Sequence, residues 1–163
     1  LKRMNIRTRA LTFGTLSVVV GFSLSGCAGQ VPMTAAPDAN NPDCAAVTVR
    51  LPNSVADLAK RETNAQATGA WGSPASVLLT CGVEVPGPTT LPCVSVNEVD
   101  WIEDDSQAPL YRYTTYGRTP AVEVVIDSDA VSGTTTLVDL GPAVSVLPQT
   151  AKCTDLEDVF SGN

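Results

Sequence analysis

The sequence contains no histidine. That absence excludes Ser-His-Asp and Cys-His nucleophile systems, which need an imidazole to take up the proton. It also leaves zinc without its usual ligands, since no two cysteines stand two to four residues apart. A Ser-x-x-Lys pair is missing too: Asp57 lies three residues before Lys60 and Gln149 three before Lys152. None of the seventeen acids falls in the first 26 residues, and charge of either sign is absent from Ala10 to Leu24. No second long apolar run follows, and no internal repeat is visible.

Before that uncharged run stand Lys2, Arg3, Arg7 and Arg9. A basic start followed by a short apolar stretch is the pattern of a secretory signal. The uncharged run of fifteen residues is short for a membrane-spanning helix, which needs about 20. It ends in Leu24-Ser25-Gly26-Cys27, which resembles the bacterial lipobox rather than the Ala-x-Ala end of an ordinary signal. The resemblance implies a diacylglyceryl thioether on Cys27, cleavage before that residue and further acylation, for instance by palmitate, of its freed amine. Two or three chains anchor a protein stably where one binds only marginally. Residues 1–26 are therefore expected to be a lipoprotein signal peptide. The exported product is expected at the outer face of the cytoplasmic membrane, held there by Cys27.

Removing residues 1–26 takes away four of ten basic residues and no acid, leaving six against seventeen and a formal charge of −11. Such a surface repels nucleic acid and anionic headgroups, so nucleic acid is not an expected partner. The remaining 137 residues suit one domain. Cys44, Cys81, Cys93 and Cys153 remain beside Cys27. An even number in an exported chain implies two disulfides, with three connectivities possible. Cys81 and Cys93 flank the Gly/Pro loop "GVEVPGPTTLP", which makes a local Cys81–Cys93 bridge easy and leaves Cys44 to pair with Cys153.

Residues 27–41, rich in Ala, Pro, Asn and Asp after the lipidated cysteine, read as a flexible tether. Asn41 suits the cap of a short helix with Pro42 at its first position, Val47 and Leu51 on one side, and Pro52 as its stop. From residue 64 alternation takes over. Val77, Leu79, Cys81 and Val83 share one face, and Val94/Val96 and Val99/Trp101 flank Asn97-Glu98, where the change of parity indicates a tight hairpin turn or else a bulge. "LYRYTTY" and Val122/Val124/Ile126 continue the pattern. "TTTLVDL" is a further strand candidate, and Gly141-Pro142 opens a short helix to about Leu147. The expected fold is α+β: a small antiparallel sheet with short N- and C-terminal helices and two disulfides, spanning 42–155, with 156–163 as a tail.

The stretches "GAWGSPASVLLTCGV" (69–83), "VNEVDW" (96–101), "YGRTPAVEV" (116–124) and "LVDLGPAV" (137–144), together with the lipobox, resemble the actinobacterial lipoproteins grouped as domain of unknown function 3515. The resemblance implies an envelope location and carries no catalytic residue across.

Two stretches offer chemistry. The acidic run Glu98, Asp100, Glu103, Asp104 and Asp105 could supply paired carboxylates or cation ligands, although nothing in its spacing orders them. "DSDAVSG" (127–133) begins like a calcium loop but places Val131 where an oxygen belongs. The second stretch, "YRYTTYGRTP", gathers all three tyrosines, Tyr111, Tyr113 and Tyr116, with Arg112 and Arg118. Aromatic rings beside guanidinium groups suit stacking and carboxylate binding, and equally an ordinary sheet face. With Trp101 these are the candidate binding residues. No metal or cofactor is expected. The reading is a non-enzymatic binding or assembly module of the cell envelope, with an envelope protein or cell-wall component as partner. The alternative is an enzyme, or enzyme accessory, of cell-wall metabolism working through the carboxylates of 98–105.

Overall fold

The computed structural model describes residues 29–154. The expected signal peptide, Cys27 and the tail at 156–163 lie outside these residues. Helix α1 runs Pro42–Thr48, followed by strands β1 (Ser54–Val55), β2 (Leu58–Arg61), β3 (Thr68–Trp71) and β4 (Val77–Val83). Strands β5 (Cys93–Val96), β6 (Val99–Asp104), β7 (Leu110–Thr115) and β8 (Ala121–Asp127) follow, and helix α2 (Gly133–Val144) comes last. All eight strands join one sheet in the order β1-β2-β3-β4-β8-β7-β6-β5, every neighbour antiparallel. The fold is α+β, with a larger sheet than the sequence suggests.

Alternation along the strands decides what the sheet buries. Trp71, Val77, Leu79, Cys81, Val99, Trp101, Val122, Val124 and Ile126 all lie on one face, buried against Leu137, Leu140 and Val144 of α2. Helix α2 touches β8 in the middle of the sheet and also both edge strands, β1 and β5. A sheet whose two edges meet the same helix must curl around it, so α2 lies in the concave side of a deeply bent sheet. Asp139 fastens the β1–β2 turn to the helix by accepting a hydrogen bond from the Ala56 N–H at 2.8 Å. Helix α1 packs beside α2 on the same side and reaches β4. It starts as the sequence indicates: the Asn41 side chain caps the Asp43 N–H and Pro42 stands at the first turn.

Three expectations are overturned. "TTTLVDL" is not a strand, and Gly141-Pro142 does not begin a helix; both belong to the 12-residue α2. The Ser132 hydroxyl caps the Thr135 N–H. Thr136, Leu137, Leu140, Gly141 and Val144 are buried at helical spacing, and that period outweighs the strand preference of the threonines. The proposed tether is docked, not flexible, from Val31 onward. Val31 bridges Thr63 in parallel, Met33 donates to the Asn64 side chain at 2.7 Å, and Ala39 is buried. At Gly82 the Asp38 N–H meets the carbonyl at 3.1 Å. A Cβ there would strike the Asp38 backbone, and φ is +91°, so this approach needs glycine. The irregularity shifts the register between Cys81 and Val83, leaving Val83 half-buried, off the core face.

The third correction is the disulfide pairing. Cys44 joins Cys81 and Cys93 joins Cys153, with Cα separations of 5.6 and 5.7 Å, inside the range a disulfide spans. Cys81 and Cys93 are close in sequence, but three strands (β8, β7 and β6) separate β4 from β5. Four inter-strand steps put about 19 Å of sheet between them, measured along its surface. They also face opposite ways: Cys81 joins the concave core, whereas Cys93 pairs with Ile102 on the convex side.

Tyr113 shows how tightly the concave face is closed. It is buried, and its phenol is pushed up to about 12, by desolvation first and then by the Glu103 carboxylate beside it. A phenol that ionises near pH 10 in the unfolded chain but later in the folded one keeps the folded state fully favoured below pH 10. That advantage is lost as pH rises from about 10 through about 12. Ultraviolet titration of the phenolate should show one step near pH 12 that Tyr113→Phe removes. If the Tyr113→Phe spectrum keeps that step, the late phenol belongs to another tyrosine.

Candidate functional site

Beyond α2 the chain does not stop at the concave side. Residues 149–153 cross the end of the sheet and are fixed to its convex side. Thr150 N donates to the Gly117 carbonyl at 2.7 Å, and Arg118 bridges Gln149. The Cys93–Cys153 bond then ties the segment to edge strand β5. Gly117 has φ +67°, and a Cβ on it would collide with the Ala151 backbone. Only glycine lets the segment lie this close.

Beneath this strap is an open cleft of about 500 Å³. Ser95 and Asp100 reach it from β5 and β6, Glu98 from their turn and Arg118 from the β7–β8 loop. Ser145 comes from the end of α2, and Gln149 and Lys152 from the strap. The turn holding Glu98 is a two-residue hairpin with Asn97 at φ 47° and Glu98 at φ 65°, the double left-handed conformation of a type I′ turn.

Asp100 and Arg118 are both 4% exposed. Both Asp100 oxygens are engaged: one by the Ser95 hydroxyl, the other by the Gln149 amide at 3.1 Å and the Cys153 N–H at 2.8 Å. Arg118 donates to the Leu147 carbonyl and, at 3.1 Å, to the Glu98 carbonyl, while its Nε finds no acceptor. The ion pair found among the described residues is Arg112–Glu123; no carboxylate pairs directly with Arg118. Burial pulls the Arg118 guanidinium below its ordinary value, and the charge of Asp100 opposes that pull.

The other sequence candidates do not converge here. Tyr111 and Tyr113 stack 6.5 Å apart on the concave face. Arg112, one residue between them, points to the convex side and meets Glu123 at 2.5 Å. Tyr116 lines a neighbouring hollow with Leu91, Ile102 and Cys153. Trp101 is fully buried and offers no surface to a ligand, which corrects its place among the binding candidates. Of the acidic run, Glu98 and Asp100 share the cleft. Glu103 lies on the opposite face opposite Tyr113. Asp104 is at the surface, where hydrogen bonds from Ser106 hold its carboxyl below the usual value. Asp100 is already committed to three donors, so this cleft offers one free carboxylate, not a working pair. Among the described residues no group of three or more His, Cys, Asp or Glu is placed to hold a metal ion, and no helix is long and apolar enough to cross a membrane.

Ser95, Ser145, Gln149 and Lys152 were not legible as site residues. The one signal was Cys153, since a cysteine near the end of a disulfide-bonded domain marks a segment that is tied down.

No curated protein and no solved structure matches the chain. The family described as protein of unknown function (DUF3515) matches over residues 12–152, the greater part of the sequence, including the whole of the sheet and both helices and all of the strap but Cys153. The chain belongs to that family.

Proposed function

We propose that the protein is a lipoprotein of the cell envelope, anchored through Cys27 at the outer face of the cytoplasmic membrane, and that it works as a non-enzymatic binding or assembly module. The basic and apolar leader ending in Leu24-Ser25-Gly26-Cys27 supports the anchor. The cleft supports the module: it combines a buried guanidinium that lacks an ion-pair partner with a carboxylate whose two oxygens are already taken. That arrangement holds a ligand better than it moves a proton, because general acid–base work needs a carboxyl free to exchange one.

Two measurements test the reading. Cells fed labelled palmitate should label the wild-type protein, while Cys27→Ser should abolish the label and leave a precursor that retains residues 1–26. Label on the Cys27→Ser protein would refute the anchor. Purified lipidated protein incubated with isolated cell-wall sacculi should release no soluble sugar–peptide fragments. Release that disappears in Glu98→Gln would establish the enzymatic alternative instead.

A further inference from the structure

We infer that the cleft at Arg118 receives a small monoanionic carboxylate of dipeptide size, the free C-terminus of a short peptide being the type; this rests on the reading of the protein as a binding module. A guanidinium carries five N–H donors and a charge that is costly to bury unpaired. Arg118, 4% exposed, spends one bond on each of two neutral carbonyls, and Nε has no acceptor. The carbonyls satisfy two donors but supply no opposing charge. Asp100 is close enough to act on that charge, yet its oxygens are spent on Ser95, Gln149 and the Cys153 N–H. Arg118 is thus short of an anion, and it borders an open space.

The charge balance selects the ligand. Of the six basic residues after Cys27, two, Arg118 and Lys152, line this one cleft of a chain with seventeen acids. An anion approaching an acidic protein is drawn to such a place. Glu98 and Asp100 share the cleft, however, so a doubly charged group would face two like charges across it. The two cations and two carboxylates of the cleft balance, so a single carboxylate meets Arg118 with the least repulsion from Glu98 and Asp100, and its geometry suits a planar guanidinium.

The remaining walls ask for donors from the ligand. The Ser95 hydroxyl already donates to Asp100, the Ser145 hydroxyl donates to the Pro142 carbonyl at 3.2 Å, and the Gln149 amide nitrogen donates to Asp100. What the two serines have left to offer is acceptor oxygens, and Gln149 keeps its amide oxygen beside one further N–H; the three oxygens fit peptide N–H groups. Donors at the cationic end and acceptors along the sides describe an acylated amino acid or a peptide end. The 500 Å³ available is within the range of small-molecule sites.

Calorimetric titration of the full lipidated protein in detergent micelles with N-acetylglycylglycine tests this. Saturable binding is expected, weakened about tenfold or more by methyl esterification, and with inorganic phosphate the weaker ligand. Lys152→Ala, an exposed change, should weaken binding about tenfold with the melting temperature unchanged. Arg118→Lys keeps the charge and loses the fork, so it should weaken binding further, its folding checked by the same melting curve. The inference falls if N-acetylglycylglycine gives no saturable heat below about 10 mM, if the methyl ester binds equally, or if Lys152→Ala keeps full affinity. Tighter binding of phosphate would also overturn it, while leaving the wider reading of a binding module standing. The palmitate experiment reports on the anchor independently of all these outcomes.

Discussion

Peptide mapping without reduction should recover Cys44–Cys81 and Cys93–Cys153, and deleting the first bridge with C44A and C81A should destabilise the protein more than deleting the second. Chain entropy alone does not separate them. The sequence separations are 37 and 60 residues, for which loop closure gives about 4 kcal/mol in each case. Burial decides the order. Cys44 and Cys81 are completely buried at the contact between α1 and the centre of the sheet, so truncating them also leaves core volume unfilled. Cys93 and Cys153 are half-buried at the sheet's edge, where solvent and the strap can relax into the gap. Denaturant unfolding of the two double variants measures the difference. A larger loss for C93A with C153A would mean that fastening the strap matters more than filling the core.

The pairing itself shows where reading the sequence succeeds and where it fails. Val77/Leu79/Cys81, Val94/Val96 against Val99/Trp101, and Val122/Val124/Ile126 are legible because period two is a local property of a half-buried strand. Asn97-Glu98 is legible as a hairpin turn or a bulge, because a parity change between alternating runs has few solutions, and the pairing of Val96 with Val99 makes it the turn. Asn41-Pro42 opens its helix for an equally local reason. Strand order is not local. Nothing between Cys81 and Cys93 reveals that β4 sits in mid-sheet while β5 is an edge strand, so the nearest cysteines looked like partners. Residues 133–144 failed differently. Thr134, Thr135 and Thr136 favour strands by propensity, whereas the helix depends on burying Leu137, Leu140 and Val144 in the hollow of the sheet, a cavity that exists only once the strands have curled. The cleft was half legible. Arg118 stood out by composition, but the strap residues meet it only through the topology.

The substitution Trp101→Ala is expected to cost about 3–5 kcal/mol of folding stability, the range for removing a large buried aromatic side chain. Trp101 is completely buried in the cluster formed by β6, its neighbours and α2. A ligand-stacking tryptophan would behave in the opposite way: its loss would spare the melting temperature and abolish binding. The indole N–H allows a finer test. Trp101 Nε1 is buried without an acceptor, while Trp71 Nε1, equally buried, donates to the Pro52 carbonyl at 3.0 Å. Replacing either by phenylalanine loses similar apolar volume. At Trp101 the change also removes a donor that gains nothing from folding, which offsets part of the cost. At Trp71 it strands the Pro52 carbonyl, adding about 1–3 kcal/mol if that oxygen stays dry. Trp71→Phe should therefore be the more destabilising of the two in denaturant unfolding. Equal losses would imply that Trp101 Nε1 has a partner in solution, such as a bound water, and that its side of the core is less dry than the packing around α2 indicates.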